Sequence, residues 1–400
     1  MKHIIYISDF NVGEADSSAK AVARSGYANI GFELCRRLTE MGNEVKVLGL
    51  GYTGQEHLEK FSIIPCNTLQ DAASYMNNLK FLWTDGGRDP QKGEGVDAVV
   101  VALDIHNFQE QLFPVAKKLE LKYICITPLE SDPLCITWAN LLREMDKVFF
   151  ISQFGTDEAI KAGVDAEHIE IGIDTKAWRL RTKEEYKEIR KKLGYEEDDF
   201  VVLTVADNQE RKNLGRGFQI LSELKTLHGV KIKHILVTRE HSMVGWKLYD
   251  LAYELGLSSD LRVFQSGMPF PELYMLYCAA DAYLSCSKGE GLGLPIMEAM
   301  SVGVPVVANK TGALTELLAE NRGGLVEPAS WYYDPFGNQK RYDISIARAV
   351  DLLLQTHSCR KLAEYEATVN SARSFMESKD WNKSAQQLND AIRKLTENGL

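Results

Sequence analysis

The chain has 400 residues, 45% of them hydrophobic and 26% charged, enough to bury a core divided over two or three domains. Its formal net charge of −10 argues against a general nucleic-acid or anionic-membrane surface, since either would call for a basic footprint. The seven cysteines, Cys35, Cys66, Cys125, Cys135, Cys278, Cys286 and Cys359, include no C-x-x-C pair, which argues against a disulfide framework or a zinc site and for reduced, mostly buried thiols.

Ile4 to Ile7 predicts a compact strand reached without a signal-peptide hydrophobic region, and no run approaches the ~20 apolar residues of a membrane span. The expected setting is cytoplasmic, with at most peripheral membrane contact. A long polar loop, Asp9 to Ser25, leads to an amphipathic helix, Tyr27 to Met41, and a second strand, Glu44 to Gly49. A loop of that length favours function over mere connection. No G-x-G-x-x-G follows the first strand, so a dinucleotide fingerprint is absent. Lys80 to Gly95 reads as a surface excursion, and Val96 to Leu103 as a fully buried strand with His106 at its carboxyl end, where ligands of open α/β sheets gather. His106 is an acceptor-side candidate or a structural histidine. Tyr123 to Thr127 delivers Glu130 and Asp132 to the same edge; a carboxylate there can accept from sugar hydroxyls or help remove an acceptor's proton, which makes Glu130 a catalytic candidate, and Asp132 before Pro133 is equally a turn or helix N-cap. Lys147 to Ser152 is the next strand, and the first domain is expected to end at residue 173.

Thr182 to Leu193 is a charged helix read as a solvated face. The strand Phe200 to Ala206 then leads into a loop carrying Arg211 and Lys212, two cations at a strand-to-helix mouth that suit a diphosphate. Strands follow at His234 to Thr238 and Arg262 to Phe264, the latter ending in Ser266-Gly267-Met268, with helices at Val244 to Leu255 and Pro271 to Cys278. The most informative stretch comes next. Asp281 to Ser287 is a short buried strand, Lys288 to Gly293 a glycine-punctuated turn, and Pro295 onward a helix with proline in its first turn. The first amides of such a helix are unpaired and its dipole favours an anion, so this mouth is a phosphate site. Glu290 on the turn and Glu298, expected in the first helical turn, need another partner, and sugar hydroxyls supply it. A phosphate flanked by two hydroxyl-bearing groups is a nucleotide sugar. Trp331 to Gly337 is an aromatic loop that flanks the ligand cleft or else a surface hairpin or packing segment, and three helices, Ile344 to Leu354, Cys359 to Phe375 and Asn382 to Leu395, close the chain.

Glu290-Gly-Leu-Gly-Leu-Pro-Ile-Met-Glu298, running into Gly303-Val-Pro-Val-Val307, resembles the E-x7-E signature of the retaining GT-B glycosyltransferases of family four. The resemblance implies an α/β fold of the GT-B kind, two doubly wound Rossmann-like domains facing one cleft: an acceptor-side domain over 1–173 with 380–400 crossing back, and a nucleotide-sugar domain over 174–379. It implies transfer of a sugar, with retention, from a nucleotide-diphosphate sugar to a carbohydrate, lipid-linked or small-molecule acceptor, with neither cofactor nor divalent metal and no nucleic-acid partner. By the same resemblance Glu298 holds the ribose and Glu290 the donor sugar. Lys212, Arg211 and the amides of Gly291, Leu292, Gly293 and Leu294 hold the diphosphate, and Ser266, Gly267 and Met268 meet the base. Gly26 stands for the glycine-rich loop of the first domain, alternatively for a tight loop-to-helix junction, and Glu130 replaces the family's strand-end histidine. Asp207-Asn208 stand where the family has an arginine. A nucleotide-sugar epimerase and a non-catalytic binding protein of the same fold are the rival readings.

Overall fold

The apolar runs become strands buried on both faces, as parallel sheets require. The computed structural model describes residues 1–11, 25–78, 95–360 and 363–397. Gly13 and nearly all of the two long loops at Asp9–Ser25 and Lys80–Gly95 lie outside the described residues. The chain divides into two compact units, one of residues 1–129, 134–172 and 380–400, the other of 130–133 and 173–379.

In the first unit the chain runs β1 (His3–Asp9), α1 (Gly26–Glu40), β2 (Glu44–Leu50), β3 (Ser62–Cys66), α2 (Leu69–Asn77), β4 (Ala98–Ala102), α3 (Glu110–Lys118), β5 (Tyr123–Thr127), α4 (Ile136–Leu142), β6 (Lys147–Phe150), α5 (Gln153–Lys161) and β7 (Ala166–His168). The seven strands form one parallel sheet in the order β3-β2-β1-β4-β5-β6-β7. β3 was not anticipated: it sits at the sheet edge, where Pro65 costs no ladder bond that a central strand would need.

The second unit continues with α6 (Lys183–Leu193), β8 (Phe200–Val205), α7 (Leu214–His228), β9 (Ile232–Thr238), α8 (Leu248–Glu254), β10 (Leu261–Gln265), α9 (Phe270–Ala279), β11 (Ala282–Ser285), α10 (Leu294–Val302), β12 (Val306–Asn309), α11 (Leu314–Leu317) and β13 (Gly324–Val326). Its six strands are parallel in the order β10-β9-β8-β11-β12-β13. An antiparallel hairpin of β14 (Pro328–Tyr333) and β15 (Lys340–Ile344) follows, so the aromatic stretch resolves as a hairpin, before α12 (Ile346–Cys359) and α13 (Ala363–Glu377). α14 (Trp381–Glu397) belongs to the first unit, where a Cβ on Gly172 would lie 2.7 Å from the Trp381 ring.

Two expectations are corrected. The helix expected from Val244 starts only at Leu248, because Trp246 N donates to Asn208 Oδ1 at 2.9 Å and holds the preceding backbone in another course. The solvated helix α6 also carries a buried cation: Arg190 pairs with Asp281 at 2.8 Å and donates to the carbonyls of Glu196 and Asp199 at 2.7 and 2.9 Å. Among the described residues no helix is long and apolar enough to cross a membrane.

Candidate functional site

A doubly wound sheet opens a crevice at the carboxyl ends of the two strands between which its winding reverses. In the second unit these are β8 and β11, since β9 and β10 extend one edge and β12 and β13 the other. The loops leaving β8 and β11 are the ones that carry Arg211-Lys212 and Glu290 to Gly293. They meet directly. Lys212 Nζ donates to Glu290 Oε2 at 2.6 Å, Arg211 Nη1 donates to the Gly289 carbonyl at 2.8 Å, and Lys288 N donates to the Arg211 carbonyl at 2.8 Å.

Local geometry explains each position. Lys212 closes a single 3-10 turn, Glu210–Lys212, which ends at Asn213 before α7. Gly293 has φ 92°, a conformation that strains any other residue, and its carbonyl takes the amides of Ile296 and Met297 at 2.9 and 3.1 Å as α10 begins. Leu294 and Pro295 therefore form the helix start, with Gly291 and Leu292 on its approach. Since Gly293 takes the Ile296 and Met297 amides and Pro295 has none, the Leu294 amide is the one of that first turn without an intrahelical partner. Because the helix starts at Leu294, Glu298 falls just beyond the first turn, not within it as expected. Its side chain meets Tyr277 of α9, whose hydroxyl donates to Oε2 at 2.7 Å.

The two glutamates are shifted in opposite directions. At Glu290 burial pushes the carboxyl up, but Lys212 at 2.6 Å and Arg211 at 3.7 Å outweigh it and hold the group below the usual carboxylate range. Burial, and then the Arg211 guanidinium, bring the Lys212 amine below its usual value against the pull of Glu290. At Glu298 burial dominates over the Tyr277 hydrogen bond and pushes the carboxyl up to about 7.

Glu130 and Asp132 join this network as part of the second unit. Glu130 Oε1 meets Arg211 Nη2 at 2.9 Å and its Oε2 meets Arg341 Nη1 at 3.3 Å. Asp132 is not a helix cap, since α4 starts after Cys135; its carboxylate accepts from Lys340 Nζ and the Tyr342 hydroxyl, each at 2.8 Å. Burial raises the Asp132 carboxyl, and those two bonds outweigh it and hold the group below its usual value. Gly312, at φ 50°, has no room for a side chain: a Cβ would stand 2.4 Å from the Glu290 carbonyl oxygen and 2.6 Å from that of Glu130. Lys340, Arg341 and Tyr342, all on β15, are site residues that the sequence did not point to. Neither was Arg239, which follows β9 and grips Asp207 through Nε at 2.6 Å and Nη2 at 2.5 Å.

The remaining candidates have other surroundings. Ser266, Gly267 and Met268 follow β10, where Ser266 N donates to the Thr238 carbonyl at 2.9 Å and Met268 packs, partly buried, against the core. Gly26 opens α1 behind Ser25, whose hydroxyl accepts from Ala28 N at 3.1 Å. His106 stands in a π-helical turn after β4 and stacks on Trp138, ring centroids 6.2 Å apart. Among the described residues no group of His, Cys, Asp and Glu has the arrangement of a metal site.

The arrangement can bind an anion at the α10 start with two cations beside it, and hydroxyls at two carboxylates of opposite protonation tendency. Residues 185–332 match the family model described as glycosyl transferases group 1. Over 88 residues, 21% of this chain and 20% of the relative, the sequence is 40% identical to the D-inositol 3-phosphate glycosyltransferase of Corynebacterium urealyticum. The chain thus spans only about a fifth of that relative's length. Sucrose-phosphate synthase from Thermosynechococcus elongatus has a similar structure, with a TM-score of 0.75 over 100% of both chains at 16% identity. Anabaena HepE in complex with UDP-glucose gives a TM-score of 0.69 over 98% of this chain and 100% of its own at 17% identity. The fold is of the GT-B type, as expected, with a Rossmann-like sheet in each unit.

Proposed function

We propose that this protein is a glycosyltransferase that moves a sugar, in the manner of a retaining hexosyltransferase, from a nucleotide-diphosphate sugar to an acceptor. The observation that carries the reading is the meeting of Lys212, Arg211 and Glu290 at the β8/β11 reversal, directly before the α10 start. The match of residues 185–332 and the UDP-glucose complex of a protein of similar fold support it and make UDP sugars the first donors to try.

In this reading the amides of Gly291 to Leu294 and the Arg211 and Lys212 cations carry the charge that develops on the leaving diphosphate, the largest contribution to the rate. Those groups stand in place before the reaction, so little reorganisation accompanies the charge transfer. Glu290 accepts from hydroxyls of the donor sugar, and Glu298 accepts from the ribose hydroxyls after giving up its proton. The acceptor's proton passes to the leaving phosphate oxygen on the same face, so no separate protein base is assigned. Sugar, base and acceptor (carbohydrate, lipid-linked or small molecule) are for experiment to name.

The test is thermal unfolding of the full chain with UDP, GDP and ADP and their common sugar conjugates, followed by release of nucleoside diphosphate with candidate acceptors. A ligand at ~100 times its dissociation constant adds roughly 2.7 kcal/mol, so one base should raise the midpoint clearly. No shift with any of them at millimolar concentration overturns the reading. A changed free nucleotide sugar without an acceptor would show an epimerase instead.

A further inference from the structure

We infer that Arg341, on the hairpin strand β15, is a positioning residue for the donor site: it draws the Glu130 carboxylate off Arg211 Nη2, so that a diphosphate can take the place of that carboxylate there. The inference rests on the donor reading above and deepens it.

The two cations assigned to the diphosphate face carboxylates in the structure. Lys212 holds Glu290, and Arg211 holds Glu130 at 2.9 Å. Glu290 has a further use once the donor arrives, because the sugar hydroxyls need an acceptor. At Arg211 the charge of Glu130 competes with the incoming anion for the same N–H donors. The molecule provides its alternative. The second oxygen of Glu130 already lies 3.3 Å from Arg341 Nη1, so the carboxylate bridges two guanidiniums and can settle wholly on one.

Arg341 is built to stay in place. Its side chain is 3% exposed, and its Nε pairs with Asp334 at 2.8 Å, leaving the Nη groups for Glu130. The flanking residues tie β15 to both loops: Lys340 N donates to the Asp132 carbonyl at 2.7 Å and Tyr342 N to the Lys288 carbonyl at 3.0 Å. The Glu130 backbone is equally fixed, because a Cβ on Gly312 or Gly289 would come within 2.6 or 3.0 Å of its carbonyl oxygen. A rotation of the Glu130 side chain is then the motion left to it, and that motion is a transfer between Arg211 and Arg341.

The experiment measures affinity for inorganic pyrophosphate and for the nucleoside diphosphate found by thermal unfolding, on the full chain, with Arg341→Gln, Glu130→Gln and the double variant. Arg341→Gln should weaken both ligands about tenfold, and Glu130→Gln should tighten them. In the double variant the Arg341 effect should vanish, because no carboxylate remains to be drawn away. A merely structural arginine would lower affinity equally in both backgrounds, and that additive result overturns the inference. Should Arg341→Gln fail to fold, Glu130→Gln alone decides: weaker binding refutes the competition and tighter binding supports it. If the wild-type chain binds no nucleoside diphosphate, the donor reading falls first and this inference with it.

Discussion

Glu290 and Glu298 stand at the two ends of one nine-residue stretch, yet their surroundings are opposite in character. Glu290 lies among cations, Lys212 at 2.6 Å and Arg211 at 3.7 Å, and is held ionised. Glu298 lies against the Tyr277 hydroxyl and apolar helix faces, and its carboxyl is pushed up to about 7. Burial acts the same way on both; the difference is made by two residues from the β8 loop. Under the proposed function one carboxylate is a counter-charge to the two cations, and the other is to gain its charge as ribose hydroxyls arrive. The same residue type is shifted down at one end and up at the other.

The sharpest way to break this contrast is Lys212→Ala. It removes a cation from the leaving-group site and strips Glu290 of its nearest counter-charge. Turnover should fall about 10²- to 10³-fold, the usual loss for a group that stabilises transition-state charge. The measurement is steady-state release of nucleoside diphosphate with donor saturating. A loss smaller than about threefold would show that the Glu290 end is structural, with the chemistry carried elsewhere.

Glu298→Gln sharpens the other half. An ionised acceptor of ribose hydroxyls contributes about 1.5–3 kcal/mol, so nucleotide affinity should drop roughly 10- to 100-fold while turnover at saturation changes less. The pH dependence gives the sign. In the empty protein the group titrates at about 7, above its ordinary value of 4.5, so burial of the ionised form costs stability that grows as pH rises from 4.5 towards 7 and is constant above. Hydroxyl donors favour the ionised form, so affinity should rise with pH up to about 7 and then level off. Calorimetric titration of wild type against Glu298→Gln separates this slope from the titration of the ligand's own phosphate, because only wild type carries it. Equal slopes in the two proteins would remove the ribose assignment.

How much of this could be read beforehand follows from sequence distance. The β11–α10 mouth was legible because everything that makes it is local: a buried four-residue strand, glycines at the turn, proline at the helix start. The β8 loop was legible for the same reason, and the resemblance assigned both loops to one donor, but the Lys212–Glu290 contact itself emerges only from the fold. Arg341 was not, since its partner Glu130 lies 211 residues earlier, and a guanidinium in a Lys-Arg-Tyr run carries no sign of burial. The Glu130 and Asp132 carboxylates were visible at the end of a predicted strand, but their partners on β15 were not, so their roles as ion-pair members emerge only from the fold. Short edge elements such as β3 and the three-residue β7 escaped because few residues carry the pattern.

The smallest expected effect concerns Asp207, which stands where the resemblance calls for an arginine. Its carboxylate is held by Arg239 from the next strand end, so the neighbourhood carries a guanidinium after all, with its charge cancelled. The two bonds outweigh burial and keep Asp207 below its usual carboxylate value. Arg239 is 55% exposed, and an ion pair in such a setting is worth about 0–1 kcal/mol. Asp207→Ala should therefore leave the fold intact and tighten nucleoside-diphosphate binding no more than about fivefold at low salt, because one negative charge near the anion site is gone and Arg239 is released. That gain should fade as ionic strength rises, since exposed charges are screened over ~8 Å at 0.15 M. Weakening of tenfold or more would give Asp207 a part in donor binding that Glu290 and Glu298 do not cover, and the contrast between those two carboxylates would have to be widened to three.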